Sequence, residues 1–156
     1  VSETRGTTAL RRAGVEYRLM RYVYHADGGA LQAAADLDVE PTRMFKSLVA
    51  RAGDELVFAL VAADAVLSPK KLAAAAGAKH AVMAEPREAE RATGYQVGGI
   101  SPLGSRKPLR VFIDASAEAF PRICLNAGNR GHIVEVATAD LVQLTGAVVV
   151  DLRAVA

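Results

Sequence analysis

Tyr95-Gln96-Val97-Gly98-Gly99-Ile100-Ser101-Pro102-Leu103-Gly104 separates a region of alternating strands and helices from one dominated by strands. The adjacent glycines let the backbone take positive φ or approach another group closely. Pro102 fixes its own φ, has no N–H, and pushes Ser101 towards extended geometry. Leu103 and Gly104 then turn the chain ahead of the basic Ser105-Arg106-Lys107. Such a loop is stiff and nearly bare, with amides that can face a ligand. It is either the wall of a binding site or a structural hairpin, and these residues alone leave both open.

Upstream of the loop, residues 4–13 read as a helix stopped at Gly14, and 15–22 as a strand with Val15, Tyr17 and Leu19 on one face. A short helix over 30–37 leads to a strand over 44–50. Alternation there puts Lys46 on the same face as Met44, Leu48 and Ala50. A lysine on such a face must carry its ammonium to water, to a counter-charge or to a ligand. It is either a snorkelling side chain near a strand end or a cation planted in a pocket floor.

Gly53-Asp54 signals a hairpin, and residues 56–62 run without polar interruption, as expected of a central strand covered on both faces. Ser68-Pro69 reads as N-cap and first position of a helix over 69–76. A short strand at 82–83 and a helix over 85–92 reach Gly94. Downstream, strands are expected over 109–114, 122–126, 132–136 and 147–152, with a helix over 138–144 capped by Thr138. Strands and short helices in this order lack regular βαβ alternation. The expected fold is a mixed α/β domain spanning residues 1–156, with one curled, barrel-like sheet of about seven strands and peripheral helices.

The 156-residue length suits one domain with a real core. No tryptophan is present, which removes an indole stacking platform, and the net charge of +2 leaves room for an anionic partner without demanding one. Basic and acidic residues number 10 and 9 in residues 1–78 and 9 and 8 in 79–156, so neither half is a charged arm. One cysteine, Cys124, excludes an internal disulfide framework and suits a reducing compartment. With no run of membrane-spanning length and no signal-peptide core at the N-terminus, a cytoplasmic location is expected.

His25, His80 and His132 show no two-ligand spacing, so a metal centre is not expected. Gly99-Ile100-Ser101-Pro102-Leu103 lacks the second glycine of a nucleophile elbow, and Pro102 offers no oxyanion-hole amide. No phosphate-binding or dinucleotide fingerprint is present. Cys124, between Ile123 and Leu125, reads as packed. Asn126-Ala127-Gly128-Asn129-Arg130-Gly131 reads as a hairpin whose Arg130 could meet a phosphate. Catalysis by this chain would therefore rest on positioned amides, a lysine and the substrate's own groups.

Arg91-Ala92-Thr93-Gly94-Tyr95 running into Gly98-Gly99-Ile100-Ser101-Pro102-Leu103-Gly104 resembles the signature of the YbaK-type aminoacyl-tRNA deacylases. These are free-standing relatives of the editing domain of bacterial prolyl-tRNA synthetases. Phe45-Lys46-Ser47-Leu48 is similar to the family's lysine strand. Gly128-Asn129-Arg130-Gly131 and Ala139-Asp140-Leu141 resemble its C-terminal turn and last helix.

The resemblance implies a mixed α/β barrel-like fold and hydrolysis of the ester between a wrong amino acid and the tRNA 3′ end. The substrate it implies first is Cys-tRNA(Pro), with alanyl-tRNA(Pro) or another small aminoacyl-tRNA as alternative. A non-catalytic module that binds a nucleotide or tRNA end is the alternative of a different class. Lys46 would hold the 3′ end or polarise the ester. Gly98 to Pro102, with Gly99, Ile100 and Ser101, matches the clamping loop that Gly104 closes. Ser47, standing where threonine is usual, with Tyr22, Asn126, Gly128 and Arg130, would complete the substrate site. In cysteine-specific members the substrate thiol attacks its own carbonyl, which suits a site without a protein nucleophile. No cofactor is implied; the partners are the aminoacylated tRNA end and, for recruitment, prolyl-tRNA synthetase, with no membrane.

Overall fold

A computed structural model describes residues 3–155. In chain order the elements are α1 (Arg5–Arg12), β1 (Tyr17–Arg21), α2 (Gly29–Asp36), β2 (Phe45–Ala52), β3 (Glu55–Ala62), α3 (Pro69–Ala76), β4 (Ala81–Met83) and α4 (Pro86–Thr93). After the central loop come β5 (Arg110–Asp114), a 3₁₀ turn (Ala115–Ala119), β6 (Arg122–Asn126), β7 (His132–Ala137), α5 (Thr138–Thr145) and β8 (Val148–Val150). Ser68 caps α3 by accepting from the Lys71 N–H at 3.2 Å, with Pro69 at its first position. Thr138 does not cap α5: Ala137 holds that place, and the Thr138 hydroxyl donates instead to the Phe120 carbonyl at 2.7 Å. Among the described residues no helix is long and apolar enough to cross a membrane.

The single curled sheet expected above is two sheets, neither closed on itself. One has the order β1-β7-β6, the other β4-β2-β3-β5-β8. The break lies on one edge of β2. Its opposite edge pairs with β3 along its whole length, Phe45 facing Ala62 through to Ala52 facing Glu55. On the near edge β4 pairs only with Ala50 to Ala52, and β6 makes backbone pairing only at the Met44–Cys124 bridge, where the Cys124 N–H donates to the Arg43 carbonyl at 3.0 Å. The ladder is therefore interrupted over residues 45–49, and a sheet with such a gap cannot close.

β3 is the central strand. Phe58, Leu60 and Ala62 enter the core between the two sheets, where Ile123, Leu125, Val134 and Val136 meet them. Val57, Ala59 and Val61 pack on the other side against Leu72 of α3 and Phe112. A third cluster joins Met20, Ala33, Ala34, Met44 and Cys124 beneath α2. Cys124 is fully buried there, and burial pushes its thiol up to about 11, so it stays protonated and packed.

Glu135 of β7 ties the small sheet to the start of β2, accepting from Arg43 at 2.8 Å and from Arg18 at 3.2 Å. The Arg43 hydrogen bond, ahead of that from Arg18, holds this carboxyl below its ordinary value of 4.5. A carboxylate that is more acidic when folded contributes stability fully above the ordinary glutamate range, and this contribution is lost as pH falls through the folded value. Glu135→Gln is therefore expected to cost about 1–2 kcal/mol near neutrality, the scale of a half-shielded charge-assisted bond. The difference from wild type should shrink in urea titrations repeated towards pH 3.

Candidate functional site

The uncovered edge of β2 forms the floor of a cavity of about 390 Å³. Because the cavity wraps this edge, residues from both faces of the strand line it: Phe45, Ser47 and Val49 from one, Lys46 and Leu48 from the other. Alternation along the strand puts the carbonyls of Arg43 and Val49 on this edge, where Cys124 and Ala84 take them up. It puts the N–H and C=O of Phe45 and Ser47 there too. The Ser47 hydroxyl is shielded from solvent and has no hydrogen-bond partner among the described residues. A buried polar group left in this way is costly unless something that enters the cavity meets it.

Lys46 is half-buried, and its ammonium donates to the Ala65 carbonyl at 2.7 Å. Burial lowers its pKa, with the nearby Asp64 charge opposing that shift. The tip is thus tied to a backbone carbonyl and, among the described residues, is in no ion pair. Lys46 lines a largely apolar hollow while its charged end is fastened to a carbonyl that does not line it, in surroundings where a charge is weakly screened.

The opposite wall comes from the loop after α4, which is braced from behind. The Tyr95 hydroxyl donates to the Leu103 carbonyl at 2.6 Å, Ser101 accepts from the Leu103 N–H at 3.1 Å, and Arg5 stacks on the Tyr95 ring at 4.8 Å. From the facing turn, Asn126 Nδ2 donates to the Gly98 carbonyl at 3.0 Å and Oδ1 accepts from the Gly128 N–H at 2.7 Å. Arg130 Nε reaches the Val97 carbonyl at 2.9 Å while its guanidinium lies 4.8 Å over the Tyr24 ring. Gly98 takes φ of +94°, and a methyl there would fall on the Tyr24 hydroxyl.

Of the residues singled out in the sequence, Lys46, Ser47, Tyr22, Gly98, Ile100 and Asn126 line this one cavity. Gly99 does not: it is buried against the 128–130 turn, where an added Cβ would sit 2.8 Å from the Arg130 nitrogen, and it borders a separate small hollow with Gly128 and Arg130. Its smallness serves the packing of two loops. Ser101 is fully buried behind the wall, and Pro102 and Gly104 border hollows on the far side of the loop. Tyr24, Met44, Met83 and Ala84 also line the cavity, and none of them is among the candidate site residues named from the sequence. Tyr22 is half-buried there and its hydroxyl is pushed up, mainly by desolvation, so it stays a neutral donor.

Among the described residues, the titratable side chains lining the cavity are Lys46, Tyr22 and Tyr24. No side-chain carboxylate, imidazole or thiol of the described residues is part of its wall. The arrangement can hold an uncharged or anionic group, orient it through main-chain amides and carbonyls, and stabilise developing negative charge.

Residues 28–144 match the aminoacyl-tRNA editing domain. The chain is 32% identical over 134 residues to EbsC of Enterococcus faecalis, provisionally named a Cys-tRNA(Pro)/Cys-tRNA(Cys) deacylase, covering 84% of this chain and 81% of that one. It is 38% identical over 68 residues to a proline–tRNA ligase of Moorella thermoacetica, covering 44% of this chain and 12% of the ligase. A crystal structure described as that of a candidate trans-editing enzyme for prolyl-tRNA synthetase superposes with a TM-score of 0.83 at 26% identity, over 97% of this chain and 96% of that one. The profile match and the long EbsC alignment agree with the site's chemistry: the chain belongs to the aminoacyl-tRNA editing domain family.

Proposed function

We propose that the protein hydrolyses misacylated tRNA in trans, with Cys-tRNA(Pro) as the preferred substrate. The observation that carries this reading is the cavity itself, one hollow lined by Lys46 and the Gly98 and Ile100 wall. Among the described residues it holds no cysteine, and no histidine or carboxylate to activate the Ser47 hydroxyl as a nucleophile. The attacking group must then come from the substrate or from water. For a cysteinyl ester, the substrate sulfur attacks its own carbonyl carbon and the ester C–O bond breaks. The thiol proton passes to the departing ribose 3′-oxygen, leaving a thiolactone that water opens to free cysteine. The Lys46 ammonium would stabilise charge on the ester oxygens, Ser47 would offer its unpaired groups, and the loop would fix the near-attack geometry.

Incubation with labelled Cys-tRNA(Pro) and Ala-tRNA(Pro) tests the reading. Release of free cysteine well above the buffer rate, and faster than alanine, is expected. Alanine released faster would move the preference to a water-dependent route. Release of neither above buffer would make the protein a binding module and end the catalytic reading.

A further inference from the structure

Arg5, Arg12, Arg91, Arg106, Lys107 and Arg130 are all exposed, and none forms an ion pair among the described residues. Arg11, Arg18, Arg43, Arg51, Lys71, Arg110 and Arg153 all do. Arg21, Lys70, Lys79, Arg87 and Arg122 are exposed and unpaired as well, but border none of the hollows that join the first six.

What sets the first six apart is that shared hollows and backbone straps link them. Arg5 and Arg12 border one hollow with Gly104, and Gly104 also borders the next, which Lys107 lines. The Lys107 N–H donates to the Ala92 carbonyl at 3.0 Å and the Arg106 N–H to the Thr93 carbonyl at 2.8 Å, fastening both to the end of α4. The Arg106 guanidinium reaches the Arg91 carbonyl at 3.5 Å. Arg5 lies against Gly94 and over Tyr95, and these two border a third hollow with Arg130 on its wall. Arg130 in turn holds Val97 on the rim of the main cavity. Two carboxylates near this ribbon are already engaged: Glu3 with Arg11 at 2.6 Å and Glu90 with the Val97 N–H at 2.9 Å.

We infer that this ribbon is a phosphate track that holds the acceptor stem of a tRNA whose 3′ end occupies the cavity. The inference rests on the editing reading above and adds the surface that carries the rest of the substrate. A row of exposed cations without counter-charges matches a polyphosphate duplex, in which charge recurs along the axis, better than a single anionic group. With a net charge of only +2, the placement of these six residues, and not the overall charge, must supply the attraction.

The test uses the full protein and an uncharged tRNA(Pro) transcript, with binding followed against salt. Arg12→Gln, Arg106→Gln and Lys107→Gln combined should weaken binding at least tenfold at low salt and flatten the slope of log K against log salt by about three. Arg5 is left in place because it braces Tyr95. Lys70→Gln with Lys79→Gln, which border none of these hollows, should leave the slope as in wild type. The triple variant should also lose kcat/KM on Cys-tRNA(Pro) while keeping wild-type kcat/KM on cysteinyl-adenosine, which carries no stem. A thermal melt confirms folding. A triple-variant slope equal to that of the Lys70/Lys79 control would overturn the track. Failure of the wild type to hydrolyse either ester would sink the editing reading separately, because the salt slope is read on tRNA without an amino acid.

Discussion

Lys46→Ala is expected to lower kcat/KM for Cys-tRNA(Pro) at least tenfold while the protein remains folded, the scale of losing one charge-assisted contact in the transition state. The side chain is well placed for this effect. It lines a mostly apolar cavity, its ammonium bonds one backbone carbonyl, and among the described residues it forms no ion pair, with Asp64 acting only at a distance. Lys46→Met keeps the stem's packing and removes only the charge, so it should lose as much activity as the alanine variant. Because burial lowers the pKa, the ammonium is given up at lower pH than an ordinary lysine's 10.5. Activity that depends on the charge should decline as pH rises through that lowered value. The folded state also binds this proton less firmly than the unfolded chain does. Stability from this group therefore rises with pH between the lowered value and the ordinary one. Lys46→Met should then be at least as stable as wild type in urea, with the activity loss unexplained by unfolding.

Gly98→Ala is the second large effect expected. Its φ of +94° is a region that L-residues enter at a cost of about 1–2 kcal/mol, and its new methyl would fall on the Tyr24 hydroxyl. Tyr24 is itself held beneath Arg130, so the ring cannot swing aside without giving up that stack. The wall should move into the cavity, and kcat/KM should fall tenfold or more. Tyr24→Ala in the same chain removes the obstacle. The double variant should lose clearly less than the sum of the two single losses, a non-additivity that identifies direct contact. Strict additivity would show that Tyr24 and Gly98 do not meet.

Local chemistry wrote much of this fold legibly. Ser68-Pro69 announces α3, the unbroken apolar run of β3 announces a strand buried on both faces, and alternation around Lys46 places it opposite Phe45 and Val49. The two-sheet arrangement was not legible, because it depends on where β4 and β6 stop covering β2. The parallel pairing of β3 with β5 and of β5 with β8 likewise joins segments far apart in the chain and leaves no local mark. The same limit governs the site. Lys46 and Gly98 could be singled out by a misplaced charge and a missing side chain. Tyr24 is an ordinary loop tyrosine until folding brings Gly98 and Arg130 to it. Gly99 carries the reverse lesson: it stands beside Gly98 in the sequence, yet its smallness is used against Arg130 and not in the cavity.

The claim beneath all of this is that the β2 edge and the Gly98 loop together hold the aminoacylated end of tRNA. Titration with a non-hydrolysable amide analogue of 3′-cysteinyl-adenosine, followed by backbone amide shifts, tests it directly. Saturable shifts centred on Lys46, Ser47, Gly98 and Ile100, weakened in Lys46→Met, are expected. Shifts confined to another face, or saturation that leaves those four amides unmoved, would contradict it.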